Sequence, residues 1–90
     1  MAEATFFLNN NKTVFTVHTA SKDICMALAG VNLGTMTTGK PRVSLSYGRQ
    51  IYSSDYNSAI SVSTPNDAAS ICGETTNTNL AHIMYELKVQ

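Results

Sequence analysis

The chain has 90 residues, of which 43% are hydrophobic and 13% are charged, and its formal net charge at pH 7 is zero. This length and hydrophobic content predict one folded domain over residues 1–90 and exclude a disordered chain. Because the chain lacks the basic excess that nucleic-acid binders use to neutralise phosphates, we expect no nucleic-acid partner. Few charges also mean weak repulsion between copies, which favours a subunit that self-associates or binds a partner protein.

The N-terminal stretch MAEATFFLNNNK has neither the basic start nor the apolar length of a signal peptide. No apolar run approaches the ~20 residues of a membrane helix, so we expect no membrane partner. These observations predict a cytoplasmic protein, in a host cell if a virus encodes it, and a composition low in charge and rich in Ser, Thr and Asn is compatible with a viral source. Cys25 and Cys72 are then expected to be reduced thiols, with a disulfide that joins two helices as the alternative.

The first third of the chain predicts a β-hairpin followed by a short helix. Residues 4–8 and 13–19 are apolar, β-branched and aromatic, and the Asn-rich segment 9–12 between them favours a turn. Thr19 or Ser21 can cap the start of the helix, and Gly30 can end it.

Residues 34–41 read GTMTTGKP and satisfy seven of the eight positions of the phosphate-binding pattern G-x-x-x-x-G-K-[ST]. Such a loop follows a strand and opens a helix, whose N-terminus contributes to phosphate binding. Here the predicted order is reversed, since the segment follows a helix and precedes a strand. Pro41 also lacks the metal-binding hydroxyl and disfavours a helical conformation at Lys40. We therefore expect a flexible hinge and no triphosphate site.

The second half of the chain predicts strands around a second helix. Alternating apolar and polar residues favour strands over 42–47, 50–54, 58–63 and 81–89; residues 80–89 are also compatible with a helix, but the long alternation favours a strand. Thr64 as N-cap, Pro65 at the first position and Gly73 at the end indicate a helix over 65–72. The fold class is therefore α+β, a single antiparallel or mixed sheet of about five or six strands with two short helices on one face and the order ββα–βββαβ.

The same pattern predicts which side chains point inwards. Ile60 and Val62 are expected inside, as are Tyr47 and Tyr85 on the apolar faces of their strands. The opposite face of the last strand is expected to be exposed, with Glu86 pairing with Lys88 or another neighbour; its members are His82, Met84, Glu86 and Lys88.

The sequence carries no strong signal for catalysis, a cofactor or a metal. Cys25 and Cys72 lack the clustered spacing of metal ligands, and no pair of carboxylates stands out for acid–base chemistry. Cys25 lies near a helix start, with His18 and Asp23 close in sequence, but nothing places a base beside the thiol. We expect no enzyme and no cofactor, and a small thiol enzyme is the weakest alternative.

Tyrosine and arginine residues in the centre of the chain form a candidate interaction surface, because both types are enriched at energetically important interface positions. Its members are Arg42, Arg49, Tyr52 and Tyr56. Hydroxyl-rich strands with few Lys or Pro residues also leave sheet edges open to pairing. The sequence therefore predicts a non-enzymatic protein–protein interaction or assembly subunit, with itself or another protein as partner. The alternative is a protein that binds a small or nucleotide-like ligand, through this surface or a cleft between subunits.

Overall fold

The structure, a computed structural model, describes residues 2–9, 12–31, 33–46 and 59–88. The elements in chain order are β1 (Ala2–Asn9), β2 (Lys12–Thr19), α1 (Lys22–Ala29), a 3₁₀ turn (Gly34–Met36), β3 (Arg42–Ser46), β4 (Ile60–Ser61), α2 (Pro65–Cys72) and β5 (Leu80–Glu86). The described strands form one sheet in the order β1-β2-β5-β3-β4, and all neighbours in it are antiparallel. The α+β class, with two helices and an antiparallel sheet, is confirmed.

Four of these strands are five to eight residues long, and β4 has two residues. The predicted strand over 50–54 lies outside the described residues, so the predicted strand number and the order ββα–βββαβ are not confirmed. Residues 80–86 form a strand, as their alternation indicates. This strand, β5, lies in the centre of the sheet between β2 and β3.

The predicted hairpin is present, and its strands are longer than the segments 4–8 and 13–19 that the sequence predicts. β1 and β2 pair residue by residue from Ala2↔Thr19 to Asn9↔Lys12, and the register contains no bulge. Alternating β-branched and aromatic residues suit such a pleated ladder. The hairpin makes β1 a long, regular strand at one edge of the described sheet.

Side-chain caps fix the start of both helices. In α1, the Ser21 hydroxyl accepts a hydrogen bond from the Ile24 N–H (3.2 Å). This N–H belongs to the first helical turn, whose main-chain N–H groups have no partner within the helix. In α2, the Thr64 hydroxyl accepts from the Asp67 N–H (3.2 Å), and the Asp67 carboxylate accepts from the Thr64 N–H (3.1 Å). This reciprocal pair is a capping box. Both predicted helix starts are therefore correct, with Ser21 as the cap of α1.

The main core lies between the sheet and both helices. Small side chains on the helices, Ala29 and Ala68 among them, allow a close approach to the apolar strands. The buried members of this core are Cys25, Ala29, Val43, Val62, Ala68, Cys72, Ala81, Ile83 and Tyr85.

The two cysteines form a disulfide that joins α1 to α2, with a Cα–Cα distance of 5.7 Å and both side chains fully buried. The expectation that Cys25 and Cys72 are reduced thiols is therefore wrong, and the alternative applies. That expectation rested on the lack of a signal peptide, which says nothing about distances in space. Because both helices pack on one face of the sheet, residues separated by 47 positions come within bonding distance.

The face of β5 opposite the helices is also buried, which corrects a second expectation. His82 and Met84 are fully buried and were expected to be exposed. Met84 forms a small apolar cluster with Val14 of β2, and half-buried Ala59 packs against it. The sequence pattern grouped Met84 with the polar residues His82 and Glu86 on one face of the strand, so this face was expected to be exposed, although Met84 itself is apolar.

Ile60 and Val62 were both expected inside, and only Val62 is buried. Ile60 is 53% exposed because β4 is the outermost described strand on its side of the sheet. The strand ends at Ser61, and the Val62 N–H then donates to the Pro41 carbonyl oxygen at 2.9 Å. The inward alternation predicted across 58–63 therefore does not continue through this segment.

Candidate functional site

The predicted Tyr/Arg surface lies only partly within the described residues. Arg42 is the first residue of β3, is half-buried, and is the register partner of Met84 in β5 and Ser61 in β4. Cross-strand partners point to the same face of a sheet, so Arg42 lies on the face opposite the helices. The surface stays a prediction because its other members lie outside the described residues: Arg49, Tyr52 and Tyr56.

A cavity of about 610 Å³ lies between the end of α1, the start of α2 and the segment 34–41. Small-molecule sites in proteins commonly have volumes of roughly 300–1,000 Å³. Lys40 is the single charged side chain among the described residues that line the cavity, and most of the others are apolar. The cavity is therefore an apolar recess with one cation at its margin.

The GTMTTGKP segment forms one wall of this cavity. It follows α1 and precedes β3, so the strand-to-helix order of a phosphate-binding loop is missing, as predicted. Gly34 and Gly39 have φ angles of 62° and 74°, in the left-handed region that favours glycine. A Cβ at either position would meet no heavy atom within 4 Å, so the backbone conformation rather than space requires glycine there.

Main-chain hydrogen bonds join this segment, for which a flexible hinge was expected, to the end of β5. The Thr38 N–H donates to the Glu86 carbonyl oxygen at 2.9 Å, and the Lys88 N–H donates to the Met36 carbonyl oxygen at 2.8 Å. The Thr38 hydroxyl also donates to the Glu86 carboxylate, which was expected to pair with Lys88 or another neighbour. These contacts join residues far apart in sequence, and local composition does not reveal them.

Tyr85 contributes an apolar surface to the cavity. Its side chain is 4% exposed, and its hydroxyl donates a hydrogen bond to the Leu28 carbonyl oxygen of α1. Burial raises the pKa of Tyr85 to about 12, because the phenolate would lose its hydration. The side chain is therefore neutral at physiological pH, and its hydroxyl is engaged by α1.

The start of α2 lines the cavity but does not offer it an anion site. Pro65 has no N–H, and the Asp67 carboxylate accepts hydrogen bonds from the Ser63 N–H (3.2 Å) and the Thr64 N–H (3.1 Å). The negative charge that a helix N-terminus favours is thus already supplied by the protein. A polyphosphate placed here would meet this carboxylate, which argues further against a triphosphate site.

The outer edge of β1 is a second candidate feature: open sheet edges were expected from the sequence, but the aromatic row at this edge was not. Three aromatic rings form a row across the sheet: the ring centroids of Tyr85 and Phe15 lie 6.2 Å apart, and those of Phe15 and Phe6 lie 4.9 Å apart. The exposed fraction rises from 4% at Tyr85 to 62% at Phe6. The row could have been found from the register of the predicted hairpin, because that register places Phe6 opposite Phe15.

Cys25 and Cys72 are bonded to each other, so neither supplies the thiolate that a thiol enzyme requires. The part of the chain that the structure describes contains no group of three or more side chains suited to hold a metal ion. Within the same residues, no helix combines the length and apolar character needed to cross a membrane.

No protein-family model matches the chain, and no curated protein or solved structure is significantly similar to it. The cavity and the β1 edge are therefore the features from which a function is inferred.

Proposed function

We propose that this chain is a non-enzymatic assembly subunit that self-associates by pairing the edge of β1 with the same edge of a second copy. The observation that carries this proposal is the aromatic row, in which the 62% exposed side chain of Phe6 lies on an edge strand of eight residues. An exposed, regular and largely uncharged edge strand is a site to which a further strand adds.

The main chain of β1 supports this choice of edge. Among the described strands, β1 pairs with β2 alone, so about half of its main-chain polar groups point away from the sheet. Proteins usually protect such an edge with Lys, Pro, a bulge or a very short strand. β1 contains no Lys or Pro, and its register contains no bulge. Among the described strands the opposite edge is β4, which has two residues, and a very short strand offers little to a further strand.

A twofold axis at Phe6 gives a self-complementary interface. Two antiparallel copies with Phe6 opposite Phe6 would pair residues 3–9 of each, with about one main-chain hydrogen bond for each paired residue. The two Phe6 rings would then meet and join the aromatic rows of both copies. Ala4, two residues before Phe6 on the same face, is exposed and too small to obstruct this contact.

Charge and burial agree with this register. Glu3 is the only charged residue of β1, and it would face Asn9 of the second copy rather than the second Glu3. Burial of the 62% exposed Phe6 side chain contributes roughly 1–2 kcal/mol from each copy. The interface therefore combines main-chain pairing, an aromatic contact and no like-charge opposition between the strands.

The experiment compares the mass of the native protein with that of two variants by size-exclusion chromatography with light scattering. Phe6→Lys places a charge on the proposed interface, and Met36→Lys is its matched control, because Met36 is 64% exposed and lies in the 3₁₀ turn. We expect a dimer for the native protein and for Met36→Lys, and a monomer for Phe6→Lys. Circular dichroism checks that both variants are folded.

Two outcomes would contradict the proposal. One is a native protein that stays monomeric at the highest concentration it tolerates. The other is a native dimer that Phe6→Lys leaves intact, or that both variants weaken equally, since either result would place the interface away from β1.

A further inference from the structure

We propose that the cavity beside the GTMTTGKP segment binds a small amphipathic molecule with an apolar body and one negative charge, such as a carboxylate. The cavity lies between the two helices and this segment, and the aromatic row lies on β1, β2 and β5. The proposal does not depend on self-association, and each can fail without the other.

The apolar body is indicated by the walls. Side chains that line the recess include Met26, Val31, Leu33, Val62 and Tyr85. Met26 and Val31 are 42% and 39% exposed, so apolar surface remains in contact with water around the opening. A ligand that covers these side chains removes that surface from water, which is the main driving force for binding in recesses of this kind.

The single negative charge is indicated by Lys40. Its exposed ammonium is the one charged group among the described lining residues, so a carboxylate is favoured there and an amine is disfavoured. Thr37 also lines the cavity, and a threonine hydroxyl can donate a hydrogen bond to the same anion. A second negative charge near the start of α2 would meet the carboxylate of Asp67, which limits the ligand to one charge.

The walls are formed before a ligand arrives. The disulfide joins α1 to α2, and hydrogen bonds to Glu86 and Lys88 hold the segment 34–41 against the end of β5. A preformed recess avoids the free-energy cost of ordering loops on binding. Binding is therefore expected without a large rearrangement of the backbone.

The test uses three probes with the same naphthalene body: 1-naphthaleneacetate, its neutral amide and the corresponding amine. Amide chemical shifts of the full chain are followed by NMR during each titration. We expect the carboxylate to shift residues of the cavity walls, and to bind about three- to fivefold more tightly than the amide, because an exposed ion pair has an effect of this size. The amine is expected to bind more weakly than the amide.

Lys40→Met and Lys22→Met form a matched pair, because both lysines are exposed and Lys22 begins α1 outside the cavity lining. We expect Lys40→Met to abolish the preference for the carboxylate while the amide still binds, and Lys22→Met to leave the preference intact. The proposal is overturned if no probe shifts the cavity residues, if the three probes bind equally, or if both variants change the preference to the same extent. Retention of these shifts in Phe6→Lys separates this result from that on self-association.

Discussion

Removal of the Cys25–Cys72 bond is expected to destabilise the protein strongly. A disulfide stabilises mainly by restricting the unfolded chain, and its effect grows with the logarithm of the length of the closed loop. For a separation of 47 residues this relation gives a loss of about 4 kcal/mol in the free energy of unfolding at 25 °C. Domains of this size have total stabilities of about 5–13 kcal/mol, so reduction removes a large fraction of the stability.

The assay is urea unfolding of the native protein with and without a reductant, followed by circular dichroism. The double variant Cys25→Ala/Cys72→Ala is the matched control, since it lacks the bond under both conditions. We expect the reduced native protein and the double variant to unfold at similar, much lower urea concentrations than the oxidised protein. The reductant is expected to have no effect on the double variant.

A loss of less than about 1 kcal/mol in the free energy of unfolding on reduction would contradict this role of the disulfide, because a bond that closes so long a loop has a larger entropic effect. This role is also contradicted if the purified protein contains two thiols that react with an alkylating reagent after denaturation without a reductant. That result would mean that Cys25 and Cys72 are not bonded to each other.

Three further changes test the local structure by urea or thermal unfolding. Thr64→Ala removes one half of the capping box and is expected to cost about 1 kcal/mol, and a change below a few tenths would contradict this role. Gly39→Ala places a side chain at φ 74° and is expected to cost about 1 kcal/mol, whereas Gly30→Ala, at φ −94°, is expected to cost less; equal effects would argue against strain. Burial raises the pKa of Tyr85 to about 12, so between its ordinary value near 10 and 12 the unfolded state loses a proton that the folded state keeps. Stability is therefore expected to fall as the pH rises through this window, by up to about 2–3 kcal/mol, and Tyr85→Phe is expected to weaken this dependence.

Local signals in the sequence predicted the local structure well. The helix starts at Ser21 and Thr64 follow from the hydrogen bonds that a cap residue makes within its own turn. The hairpin follows from two β-branched and aromatic segments around an Asn-rich turn. In each case the residues that determine the structure are close together in the chain.

The features of greatest functional interest depend on contacts between distant residues. The Cys25–Cys72 bond requires both helices to pack side by side, and the cavity wall requires Thr38 to meet Glu86. His82 and Met84 are buried on the face opposite the helices, where Met84 packs with Val14 and Ala59, and alternation along one strand does not reveal these contacts. The cytoplasmic location, the viral source and the Tyr/Arg surface remain predictions.

Pairing of β1 with β1 of a second copy can be measured by hydrogen exchange of the β1 amides at low and high protein concentration. Pairing protects the amides of β1 that point away from β2, while those that already bond to β2 serve as an internal control. We expect alternate amides between Ala2 and Asn9 to exchange more slowly at high concentration, and Phe6→Lys to remove this effect. Exchange of these amides at the same rate at both concentrations would contradict this pairing.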